Sequence, residues 1–147
     1  ESQLDRFMMR LSMGYPAPEA EKQLYFAGDR RQTLPALQAV CHAALLQQWQ
    51  EEVRQVKFAT AAADYVFRLV QATRQSGRFV TGLSPRAGLA VVQAAKASAF
   101  IHGRPHVLPD DIKSVWIPVA NHRLQPVQQG LSSSQLLMDI LNHVAVQ

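Results

Sequence analysis

Across 147 residues there is a single cysteine, Cys41. An intrachain disulfide is therefore excluded, and the composition fits a reducing compartment, so a cytoplasmic location is expected. No apolar run approaches the roughly 20 residues that a membrane-crossing helix requires. The opening residues do not form the charged-then-apolar pattern of a secretory signal. There is no Gly-x-x-x-x-Gly-Lys-Ser/Thr loop to cradle phosphates and no acidic strand end to hold magnesium. A self-sufficient nucleotide hydrolase is thereby excluded. No Gly-x-Ser-x-Gly elbow or nucleophile triad is present either. His42, His102, His106, His122 and His143 are scattered, and Cys41-His42 has no second cysteine, so zinc-ligand spacing is missing. His102 and His106 are four apart, but Gly103 and Pro105 separate them from any common helical face.

What is present describes a globular chain, with 48% hydrophobic and 18% charged residues. Its net charge of +4 suits phosphate-bearing ligands in general without separating nucleotide from nucleic acid. The chain begins at Glu1, and Leu4-Asp5-Arg6-Phe7 reads like the middle of a helix, so a piece of a longer protein is expected.

Helical patterning dominates. Gln3–Met9 reads as a continuing helix. Pro18-Glu19-Ala20-Glu21 reads as a helix start, with proline and acids at the positive end of the dipole and Gly28 as the stop. Ala36–Val53 is rich in Ala, Leu and Gln. Ala61–Arg74 is the clearest amphipathic segment, with Ala62, Tyr65, Val66, Leu69, Val70 and Thr73 at helical spacing. Ser84–His102 has a good N-cap, then Pro85, and a face of Ala and Gly that lets another helix approach closely. Pro109-Asp110-Asp111 opens a further helix, interrupted by Pro118. Ser132–Val144 is the last, with Ser132-Ser133-Ser134 as its cap. Val56-Lys57-Phe58 and Arg78-Phe79-Val80 read as short extended pieces. Met9–Met13 alternates apolar and polar residues like a half-buried strand, ended by Gly14-Tyr15-Pro16. The fold class is therefore a mainly all-α helical bundle with one short strand near the N-terminus. That strand has no partner in the chain and is expected to be disordered or paired with another chain.

Arg86 is the most informative residue. A cation in the first turn of a helix opposes the dipole by roughly 0.3–1 kcal/mol, while the same terminus favours an anion. Either a phosphate comes to this place and Arg86 meets it, or Arg86 is solvated and its small penalty is tolerated. Arg30-Arg31, Lys57, Arg74, Arg78 and Arg104 could make a basic patch, but they lie in loops and helix ends, without a recognition helix. Trp49 and Trp116 read as core or interface anchors.

The run Thr81-Gly82-Leu83-Ser84-Pro85-Arg86-Ala87-Gly88-Leu89-Ala90 resembles the sensor-2 segment of MoxR-type AAA+ ATPases. The resemblance continues through Ala94-Ala95-Lys96-Ala97, His102-Gly103-Arg104, Val107, Pro109-Asp110-Asp111-Ile112-Lys113 and His122-Arg123-Leu124. Upstream, Gln3-Leu4-Asp5-Arg6-Phe7 and Gly14-Tyr15-Pro16 resemble the end of that family's ATPase core. It implies a division into residues 1–15, the tail of the core with a partial helix and strand, and residues 16–147, a C-terminal helical lid. It implies that Arg86 binds the γ-phosphate of ATP, and that Arg6 is a catalytic arginine finger for the neighbouring subunit. The alternative for Arg6 is a surface arginine paired with Asp5 or another acid. ATP and magnesium are implied as cofactors of the full-length protein, with none bound to this piece alone. The implied partners are the chain's own core, further copies in a hexameric ring, and client proteins with von Willebrand factor A-type domains. Nucleic acid is not expected. Leu108 departs from the family's threonine before Pro-Asp-Asp, and Trp116-Ile117-Pro118 is bulkier than usual. A standalone helical adaptor or DNA-binding module without a nucleotide role is the competing reading.

Overall fold

The computed structural model describes residues 3–27 and 34–146. The proposed stop at Gly28 and the Arg30-Arg31 pair lie outside them. Among the described residues, six helices run in order: α1 (Pro18–Phe26), α2 (Ala43–Gln55), α3 (Thr60–Gln75), α4 (Pro85–Ile101), α5 (Pro109–Ala120) and α6 (Ser133–His143). Short 3-10 turns cover Leu4–Arg6 and Asn121–Arg123. Among the described residues there is no sheet, only isolated bridges between Lys57 and His106 and between Phe79 and Pro126. The two short extended pieces expected from sequence are these bridges.

The core lies between α3, α4, α5 and α6. Tyr65, Val66, Leu69 and Val70 of α3 meet Ala87, Val91, Ala94, Ala95 and Ala99 of α4 and Ile112, Val115, Trp116 and Val119 of α5. α4 packs most extensively against α5. The small residues explain this: Ala87, Ala95 and Ala99 are fully buried, and without long side chains the axes approach closely. Trp116 closes the bottom of the core and donates its indole N–H to the Leu137 carbonyl of α6 at 3.3 Å.

Several boundaries differ from the sequence reading. α2 starts at Ala43 rather than Ala36, because the His42 ring accepts from the Leu45 N–H and caps the helix there. Pro118 does not interrupt α5, which continues to Ala120. Proline near the last turn removes only one late N–H, and the helix ends before its ring costs more. Ser132 is the backbone N-cap of α6 but makes no side-chain cap bond; Ser133 instead donates to the Leu124 carbonyl.

Met9–Met13 forms no strand, and Gln3–Met9 is helical only over Leu4–Arg6. The segment has no regular secondary structure, and the Arg10 N–H donates to the Pro118 carbonyl at 2.9 Å. Met9 packs on the core, while Leu11 and Met13 are exposed. A lone strand has no ladder to close, so its alternation is left without a sheet.

Candidate functional site

The Thr81–Ser84 loop that leads into α4 is held by α3. Thr73 donates its hydroxyl to the Val70 carbonyl and accepts the Leu83 N–H at 3.1 Å. Arg74 donates its Nε–H to the Leu83 carbonyl at 2.9 Å. Gly82 lies flat against Arg74, and a Cβ there would meet Arg74 Cγ at 2.5 Å and its Cα at 2.6 Å. The glycine is required by this close approach, not by an unusual backbone angle. Gly82→Ala is expected to destabilise the fold by about 2 kcal/mol, because backbone must move. Thermal unfolding should show a Tm lower by about 5 °C.

Ser84 then caps α4, its hydroxyl accepting the Ala87 N–H at 3.2 Å. Arg86 follows in the first turn, with its side chain exposed. Among the described residues no hydrogen bond or ion pair holds it, and no acid sits in that turn. The guanidinium and the adjacent helix terminus both offer donors to an anion from outside.

Beside the start of α4, α5 runs into the turn carrying His122 and Arg123. The Arg123 side chain is only 4% exposed. Its Nε–H donates to Asp5 Oδ1 at 2.9 Å and its Nη2 to the Phe7 carbonyl at 2.6 Å and the Asp5 carbonyl at 3.3 Å. Its Nη1 donates to the Met8 and Val119 carbonyls. His122 Nε2 lies 3.0 Å from the Phe7 carbonyl; a carbonyl only accepts, so that nitrogen carries the proton. Asp5 is thus taken by Arg123, and the expected alternative of an Arg6–Asp5 pair is not made. Arg6 itself is exposed.

The two regions open on one cavity of about 700 Å³, lined among others by Asp5, Arg10, Gly82, Ser84, His122 and Arg123. Neither Arg6 nor Arg86 lines it, so the structure does not bring those two side chains together there. Of the basic residues considered for a patch, Arg74 is spent on the Leu83 carbonyl, Arg78 on Asp139 at 2.5 Å and Arg104 on Asp111. No cluster of His, Cys, Asp and Glu able to hold a metal occurs among the described residues. No described helix is long and apolar enough to cross a membrane.

A second charged cluster joins the end of α4 to the start of α5. Asp111, 2% exposed, accepts two bonds from Arg104 at 2.5 and 2.6 Å, one from Ser98 at 2.9 Å and the Leu108 N–H at 2.8 Å. Leu108 cannot cap α5 with its side chain, so the Asp111 carboxylate does so by reaching back. Burial alone would push the Asp111 carboxyl up. The Arg104, Leu108 and Ser98 hydrogen bonds, with the Arg104 charge, outweigh it and hold the group at about 2. No spacing in the sequence assigns Asp111 or Arg123 a role, and Arg104 stands there only as a member of the candidate basic patch.

Residues 71–141, from the last turns of α3 through most of α6, match the AAA lid domain family. The chain is also 31% identical over 99% of its length to the uncharacterized protein YeaC of Bacillus subtilis. It is 31% identical over 98% of its length to the chaperone MoxR1 of Mycobacterium tuberculosis. Residues 71–141 thus carry an AAA lid domain, and nearly the whole chain is similar to MoxR-type AAA+ proteins. A crystal structure of a candidate ATPase from Cytophaga hutchinsonii superposes with a TM-score of 0.85 at 28% identity, covering 99% of this chain and 48% of that one. The chain spans about half the length of the curated relatives it matches, 47% of YeaC and 40% of MoxR1. Within the helical bundle described above, the lid match covers residues 71–141.

Proposed function

We propose that this chain is the nucleotide-sensing lid of a MoxR-type AAA+ ATPase, with residues 1–15 as the tail of the ATPase core and 16–147 as the lid. The observation that carries this reading is Arg86: an exposed cation at a capped helix N-terminus, without an internal acid partner, in a segment matching the AAA lid. Arg86 binds the γ-phosphate of ATP held by the core of its own chain. The phosphate loop and the magnesium ligands belong to sequence outside these residues. When the γ-phosphate leaves, a charge-assisted contact of roughly 1.5–3 kcal/mol is lost, and the lid shifts relative to the core.

Arg6 acts as the arginine finger toward the neighbouring subunit's nucleotide, stabilising charge on the transferring phosphoryl group. The assembly is a hexameric ring in the cytoplasm that hydrolyses ATP with magnesium. It remodels or activates partner proteins, among them proteins with von Willebrand factor A-type domains. The name of the MoxR1 relative, a chaperone, supports that direction.

In the full-length protein, Arg86→Ala is expected to weaken ATP binding by about 10- to 100-fold and to lower turnover, measured by nucleotide titration and phosphate release. ATP affinity and turnover both equal to the parent's would reject the sensor role.

A further inference from the structure

The Arg123 side chain does more than hold the N-terminal segment down. Its Nη2 donates to the carbonyls of Asp5 and Phe7, the residues on either side of Arg6, while its Nε–H holds the Asp5 carboxylate. His122 adds a second donor to the Phe7 carbonyl. The short turn Leu4–Arg6 has no buried residue of its own, so its placement rests on this bracket. Arg123 in turn follows directly on α5, and α5 packs along α4, whose first turn carries Arg86. Rigid helices therefore connect the Arg86 end to the backbone on both sides of Arg6.

From this geometry we propose that Arg123 is a positioning residue: it clamps the turn carrying Arg6 to the lid, so that Arg6 moves with the lid. This rests on the reading of Arg6 as the finger for a neighbouring site. Nucleotide sensed by Arg86 in one subunit then sets the position of Arg6 at the next. A guanidinium is required because one planar group must donate to a carboxylate and several carbonyls in fixed directions; an ammonium keeps the charge and loses the fork. Displacing a catalytic group by about 1 Å is enough to cost roughly 100-fold in rate.

The test compares Arg123→Lys, Asp5→Asn, Arg6→Ala and the double variant Arg6→Ala/Arg123→Lys in the full-length assembled protein. Turnover is read by phosphate release, ATP affinity by titration, and the fold by circular dichroism. Arg123→Lys is expected to lower turnover about 10-fold with ATP affinity within about twofold of the parent. Asp5→Asn, a change on a turn that is partly exposed, is expected to lower turnover about threefold while leaving the fold intact, because the carbonyl contacts persist. The double variant is expected to be no slower than Arg6→Ala, since a misplaced finger and a missing finger fail at the same step. If Arg6→Ala slows turnover and neither Arg123→Lys nor Asp5→Asn does, the clamp is overturned and the finger reading stands. A double variant slower than Arg6→Ala by the full factor of Arg123→Lys also overturns the clamp. If Arg6→Ala leaves turnover unchanged, both ideas fall together. Should Arg123→Lys fail to fold, Asp5→Asn decides: slowed turnover supports the clamp, and unchanged turnover overturns it.

Discussion

Asp111→Ala is expected to destabilise the helical bundle by about 3 kcal/mol, read from denaturant unfolding. The carboxylate is almost fully buried and joins three elements: Ser98 of α4, Arg104 of the following loop and the Leu108 N–H at the start of α5. Removing it leaves the Arg104 guanidinium without its partner and the α5 terminus without its cap. Acid should reproduce part of this effect in the parent. The folded carboxyl titrates at about 2, below its ordinary value of 3.8. Its contribution, about 2 kcal/mol, is therefore fully present above pH ~4 and is lost as the pH falls through about 2. The stability gap between the parent and Asp111→Asn should accordingly narrow between pH ~4 and ~2. A gap that stays constant across that window would show that the carboxylate's charge is not what holds α4 to α5.

Trp116→Ala is expected to cost about 3–5 kcal/mol, lowering Tm by about 10 °C. Trp116 is fully buried between α5 and α6, and its indole N–H is bonded to the Leu137 carbonyl. Truncation opens a cavity that the short, closely set α4–α5 pair cannot close, because their approach is already limited by alanines. Trp116→Phe retains much of the volume and should cost clearly less. Equal losses for the two substitutions in thermal unfolding would overturn the packing account. The bundle's failure should loosen the Arg123 turn too, since it follows directly on α5.

How far the site was legible depends on how local its determinants are. Arg86 was readable because an N-cap serine, a proline and an arginine are adjacent in sequence, and the helix terminus they define is a local object. Gly82 is visible in the sequence only as part of the run Thr81–Ala90; that it must lie against Arg74 depends on how the loop folds back over α3. The alternation of Met9–Met13 suggested a strand, but a strand needs a neighbour to exist, and none of the described residues offers one. Arg123 stands in the short run His122-Arg123-Leu124, yet its partner Asp5 lies 118 positions away. No periodicity or spacing rule connects two such positions.

The sequence by itself determined the helical class, five of the six helices to within a few residues of their ends, the small apolar face of α4, and the exposed arginine at its start. These follow from period, caps and side-chain size, which act within a turn or two of the chain. Only the tertiary structure decided that three of the basic residues are spent on internal partners, that Asp111 caps α5 where Leu108 cannot, and that Arg123 holds both sides of Arg6. Those outcomes depend on which distant groups burial brings within hydrogen-bond reach. A buried charge takes whatever partner the packing supplies.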